Sequence, residues 1–112
     1  MKIVEKPWGR ELWIAHTNDY AMKIIEIKAG TRPSLQYHRV KHEHIYIDQG
    51  RVRLELELAD GTMKVEEIGP GTVIEVIPGR KHRLSALLDT RLLEVSTPQL
   101  EDVVRVEDDY GR

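Results

Sequence analysis

The feature that most constrains this chain is the stretch Arg51 to Leu58, RVRLELEL, in which charged and apolar residues alternate without a break. Successive side chains of a strand leave opposite faces, so Val52, Leu54, Leu56 and Leu58 share one face and Arg51, Arg53, Glu55 and Glu57 the other. The pattern predicts a strand with one face in a core and one in water. Asp60-Gly61 follows, a pair favoured in tight turns whose two central residues both take positive φ, and Met63 to Ile68 reads as the returning strand.

The rest of the chain carries the same punctuation. Val, Ile and Leu supply the apolar content in short runs, phenylalanine is absent, and Ala29-Gly30, Gly69-Pro70-Gly71 and Pro78-Gly79 separate the runs. Strands are expected at Met22 to Lys28, Ser34 to His38, Glu43 to Ile47, Val73 to Ile77, His82 to Ala86 and Arg91 to Ser96. No helical period is sustained, so an all-β, closed or sandwich-like architecture is predicted, as one domain over residues 1–112. The tail from Leu100 to Arg112 is acidic and ambiguous.

Charge narrows the partners. Lys and Arg number 17 against 19 Asp and Glu, a net charge of -2 with no basic stripe, so nucleic acid is not an expected partner. The charged N-terminus MKIVEKPWGRELW lacks the apolar run of a signal peptide or membrane span, and a cytoplasmic place away from membranes is expected. Without cysteine there is no thiolate ligand, nucleophile or disulfide. His, carboxylate and amide groups remain as metal donors.

Those donors occur at a telling spacing. Gln36 and His38 are two apart and share a strand face, Glu43 opens the next strand beyond a short polar connection, and His82 follows the Pro78-Gly79 turn. Gln36, His38, Glu43 and His82 are therefore expected to hold one divalent ion, with Zn, Mn, Co, Ni and Fe all compatible with a nitrogen and oxygen set. By strand parity His42 and His44 turn away from the face of Glu43.

Gly30, Gln36-Tyr37-His38, Glu43 and Gly50 together resemble the first cupin motif, with Gln36 where many members carry a histidine, and Gly71 through Pro78-Gly79 to His82 resembles the second. Within the cupins the chain is similar to the type II mannose-6-phosphate isomerase domain. Lys6-Pro7-Trp8-Gly9, Ser34-Leu35-Gln36-Tyr37-His38, Glu43-His44 and the terminal Val104 to Arg112 carry that likeness. It implies a small cupin (double-stranded β-helix, jelly-roll) barrel, the four metal ligands above, and an aldose–ketose isomerisation of a sugar phosphate, mannose 6-phosphate to fructose 6-phosphate. The rivals are a non-catalytic cupin that binds a sugar or other small ligand, and a cupin oxygenase.

An isomerase of this type needs a proton-transfer group and a phosphate holder. Glu94, which interrupts the apolar run Leu92 to Val95, is a general-base candidate, and His44 and Lys41 are further catalytic candidates. Arg32, Arg10 and Arg83 are the substrate-binding candidates, because an arginine fork matches a phosphate. Trp8 and Trp13 are expected to pack at the edge of the core or of an interface, and the exposed strand edges of a small barrel point to a homodimer.

Overall fold

The computed structural model describes residues 1–112, which form eleven strands and no helix. In chain order these are β1 (Lys2–Lys6), β2 (Gly9–His16), β3 (Ala21–Ile27), β4 (Leu35–Tyr37), β5 (Glu43–Gln49) and β6 (Val52–Glu57), then β7 (Met63–Ile68), β8 (Val73–Val76), β9 (His82–Ala86), β10 (Thr90–Ser96) and β11 (Val104–Glu107). They make two antiparallel sheets, ordered β1-β2-β3-β10-β5-β8 and β11-β4-β9-β6-β7, which face each other as a barrel.

Strand parity explains both the closure and the site. In β3 the inward positions are Ala21, Lys23, Ile25 and Ile27, in β5 Glu43, Ile45 and Ile47, in β9 His82, Leu84 and Ala86, and in β10 Thr90, Leu92 and Glu94. Along β5 and β9 the inward face passes from apolar at one end to Glu43 or His82 at the other, and Lys23 of β3 and Glu94 of β10 stand opposite each other on the inward face beside them. The apolar ends meet as a core of Trp8, Ile25, Ile27, Ile45, Ile47, Val52, Leu54, Ile68, Ile74, Val76, Leu84, Ala86 and Leu92. Each fully buried Ile, Leu or Val there contributes about 1.5–3 kcal/mol, which plugs that end of the barrel and leaves the charged end hollow.

The expected β6–β7 hairpin forms, with Val52 opposite Ile68 through Glu57 opposite Met63. Its turn differs from the expectation. Only Gly61 takes positive φ (85°), no non-glycine residue does, and Gly61 N–H donates to Leu58 O at 2.9 Å. One extra residue is thus absorbed in the loop, and Leu58 lies outside the ladder, exposed. Strands β1, β2 and β11 carry no expectation from the sequence. Between β1 and β2 the chain reverses at Pro7-Trp8, and a Cβ at Gly9 would sit 1.9 Å from the Glu26 carbonyl oxygen, so only glycine lets β2 approach β3 while Trp8 enters the core.

Candidate metal centre and cavity

At the hollow end lies a cavity of about 650 Å³, lined among others by Gln36, His38, Lys41, Glu43, His82 and Glu94. His38 and His82 present Nε2 to the same carboxylate oxygen, Glu43 Oε1, at 3.4 and 3.3 Å. All three side chains are buried. His38 Nδ1 is 2.6 Å from the Asp102 carbonyl and His82 Nδ1 is 3.0 Å from the Arg80 carbonyl. A carbonyl only accepts, so in each neutral ring Nδ1 carries the hydrogen and Nε2 offers a lone pair to the cavity. Two ring lone pairs and a carboxylate oxygen then converge with no donor between them, and His38 Nε2 has no hydrogen-bond partner. A cation satisfies that arrangement. The backbone carbonyls behind the rings supply the outer support that orients histidine ligands.

Gln36 stands directly opposite His82 across the β4–β9 pair, on the same inward face. Its Oε1 accepts a hydrogen bond from Ser34 Oγ at 2.7 Å, which fixes the amide and leaves a second lone pair. The residues present therefore fit a divalent ion.

Around the triad, charges are balanced in the interior. Lys41 Nζ lies 3.0 Å from Glu43 Oε2 and 3.3 Å from Glu94 Oε2. Burial pushes the Glu94 carboxyl up to about 8, and the neighbouring Glu43 charge adds to this while Lys41 opposes it. For Glu43 burial acts upward too, but its polar neighbours, the Lys41 ammonium 3.0 Å away among them, together outweigh it and hold the carboxylate well below its usual range. One carboxyl of the pair is ionised and the other keeps its proton near neutrality.

The sequence candidates separate into two groups. Lys41 and Glu94 line the cavity, whereas His44, Arg10 and Arg32 do not. His44 faces outward from β5 beside His42, whose Nε2 contacts Glu75 Oε2 at 2.8 Å. Arg10 alternates with the inward Gly9 and Glu11, and pairs with Glu26 on the outer surface. Arg32 binds Asp109 through two hydrogen bonds at 2.7 and 3.1 Å, also outside. Strand parity and outer ion pairs place these three away from the triad. Arg83 is buried at the cavity's edge, on the face of β9 opposite His82, where Nη2 donates to the Glu107 carbonyl at 3.0 Å and Nε has no partner.

Lys23, Glu11 and Asp102 carry no sequence expectation of a role. Lys23 Nζ pairs with Glu11 Oε1 at 2.9 Å, and Trp13 Nε1 donates to the same oxygen at 2.9 Å. Lys23 was detectable as a lysine in the inward parity of an otherwise apolar strand. Asp102 also had no visible signal, yet its carboxylate accepts hydrogen bonds from the backbone N–H groups of Arg39, Val40 and Lys41 at 3.1, 2.7 and 2.9 Å. Trp8 packs in the core and Trp13 on the cavity wall.

Two facing antiparallel sheets with inward histidines and a glutamate at the open end define a cupin barrel. Halomonas sp. KdgF superposes with a TM-score of 0.78 at 19% identity, covering 90% of this chain and 91% of that one. Bacillus subtilis oxalate decarboxylase, a protein with Mn(II) centres, gives a TM-score of 0.80 at 18% identity over 95% of this chain and 30% of its own. Likeness at this identity speaks for the fold. The chain belongs to the family described as Mannose-6-phosphate isomerase C-terminal, which matches residues 1–108. Mannose-1-phosphate guanylyltransferase ManC of Salmonella typhimurium is 32% identical over 97% of this chain, and so is the xanthan biosynthesis protein XanB of Xanthomonas campestris. The chain spans 23% of the length of either relative.

Proposed function

We propose that this barrel is a metal-dependent sugar-phosphate isomerase that interconverts mannose 6-phosphate and fructose 6-phosphate. The observation that carries the reading is the placement of Glu94, a carboxyl poised near neutrality, in one cavity with the His38–Glu43–His82 triad. Family membership supports the substrate class.

His38, Glu43 and His82, with Gln36 beside them, would hold a divalent ion such as Mn, Zn, Co, Ni or Fe. When bound, that ion supplies Lewis-acid polarisation of the sugar oxygens. Glu94 takes the proton from one of the two adjacent sugar carbons and returns it to the other through an enediol, a task suited to a group whose pKa lies near the working pH. Lys41 stabilises the Glu94 carboxylate once it has lost its proton to solvent, which readies it as a base. The apolar plug keeps water out from below.

A homodimer is part of the same proposal. Tyr46, Val73 and Val95 are exposed on one outer face of the six-stranded sheet, an apolar surface suited to a second copy.

One observation favours a ligand-binding barrel without turnover: Lys41 already pairs with Glu94 and Glu43, as a purely structural charge balance would. Metal-loaded protein incubated with mannose 6-phosphate decides between the two. Formation of fructose 6-phosphate that is lost in Glu94→Gln supports the isomerase. Binding with no turnover by any of the five metals rejects it.

A further inference from the structure

The barrel is open between two sheet edges, and both edges present cations to the cavity. β1 ends the six-stranded sheet and β11 ends the five-stranded one. In β1, Lys2 stands opposite Trp13, Val4 opposite Glu11 and Lys6 opposite Gly9, so Lys2 and Lys6 share the inward face of β2. In β11, Arg105 stands opposite Gln36 and shares its inward face. All three line the cavity.

Their lack of partners sets them apart from every other cavity cation. Lys23 pairs with Glu11, Lys41 with Glu43 and Glu94, Arg83 with Glu107, and Arg112 with Asp108. Lys2, Lys6 and Arg105 make no ion pair, and Lys2 instead lies over the Trp13 ring at 4.5 Å. Glu5, Glu11 and Glu101 also border the cavity, but none of them is ion-paired with Lys2, Lys6 or Arg105: Glu5 stands opposite Arg10, and Glu11 is held by Lys23 and Trp13. Lys6 is half-buried, and that burial, together with the charges of Lys23, Arg112 and Arg105, makes its ammonium easier to deprotonate despite Glu11. A set of like charges gathered at a cavity mouth is self-repelling until an anion enters.

We propose that Lys6 and Arg105, one from each sheet edge and with Lys2 beside them, form the subsite that holds the phosphate of the substrate. The identity of the sugar rests on the isomerase reading above, whereas the anion rests on the two edges. Arg105 offers a planar fork and Lys6 a point charge, so a phosphate dianion bridges the edges and closes the barrel over the sugar. The reacting carbons are then directed inward, toward Glu94 and the triad.

The test uses the full chain loaded with Mn(II), titrated calorimetrically with inorganic phosphate, mannose 6-phosphate and mannose. Lys6→Gln and Arg105→Gln should each weaken phosphate and mannose 6-phosphate binding by about tenfold or more, the loss expected for one charge-assisted hydrogen bond. Metal content and melting temperature should stay unchanged, and Arg105→Lys should recover part of the affinity. In turnover the variants should raise KM and leave kcat nearly unchanged. Wild-type affinity for phosphate in a folded double variant would overturn the subsite, as would a wild-type chain that binds no phosphate. Turnover with unaltered phosphate binding in the double variant defeats the subsite and leaves the isomerase standing. Phosphate binding that depends on both residues, without turnover of any aldose phosphate, defeats the isomerase and leaves the subsite standing.

Discussion

His38 Nδ1 and the carbonyl oxygen of Asp102 lie 2.6 Å apart, although 64 residues separate them along the chain. The same Asp102 uses its carboxylate to tie down the Arg39–Lys41 backbone, so one residue fixes both the ring of His38 and the loop that follows it.

Asp102→Ala keeps the carbonyl and removes the three carboxylate hydrogen bonds. The expected loss is about 1–2 kcal/mol in urea unfolding, with weaker retention of Mn(II) in dialysis. Burial acts upward on the Asp102 carboxyl, but the three backbone N–H groups of Lys41, Val40 and Arg39 together outweigh it and hold the carboxyl below its usual range. Its contribution is therefore present above the ordinary aspartate range and disappears as pH falls through the lowered value. The variant should show a smaller acid-induced loss of stability than wild type. Equal loss in both would refute the assignment.

Removing His38 or His82 leaves Glu43 with too few partners for an ion. His38→Ala and His82→Ala should each lower metal affinity by at least about tenfold, read by elemental analysis after dialysis. Stripping metal from wild type should lower its melting temperature, since an ion at 100 times its Kd adds about 2.7 kcal/mol to the folded state. Chelation should leave either variant's melting temperature almost unmoved.

Glu94 gives a pH signature of the opposite sign to Asp102. Its pKa is raised from 4.5 to about 8, so the folded metal-free chain binds this proton more tightly than the unfolded chain. Stability from this group is full below the unfolded value and declines as pH rises toward 8. Glu94→Gln keeps the shape without the ionisation, so metal-free Glu94→Gln should lose less stability than wild type between pH 5 and 8. Parallel melting curves for the two proteins across that range would rule the mechanism out.

Arg10, Arg32 and His44 lie outside the cavity, and their substitution separates position from mere charge. Arg10→Gln, Arg32→Gln and His44→Ala should leave metal content and mannose 6-phosphate affinity unchanged in the calorimeter. Arg32→Gln breaks an exposed pair with Asp109 and should cost at most about 1 kcal/mol of stability. A tenfold loss of affinity in any of the three would contradict the placement.

Period-two alternation made the central strands readable, because one face of each is in water or at least differs in polarity from the other. The same alternation made Glu94 conspicuous in β10 and could have exposed Lys23 in β3. Edge strands escaped it: β1 and β11 have cations on their inward faces, so their residues look solvated on both sides. Arg10 and Arg32 drew attention as arginines, but residue type says nothing of the Glu26 and Asp109 partners that hold them outside. The support for His38 was illegible for a deeper reason, since it is a backbone carbonyl, which every residue has. Likewise Asp60-Gly61 announced a reversal without disclosing that the loop holds an extra residue.

The longitudinal division of each strand has a consequence for how this barrel can change. Residues at the plug and residues at the mouth occupy the same strands, and effects of substitutions more than about 7–10 Å apart without common partners usually add. A library that varies Trp13, Lys23, Lys6 and Arg105 together could redirect the choice of guest while Ile27, Ile47, Val52 and Leu92 preserve the scaffold. The barrel thus behaves as a socket with an exchangeable collar, and selectivity can be altered stepwise without first acquiring extra stability.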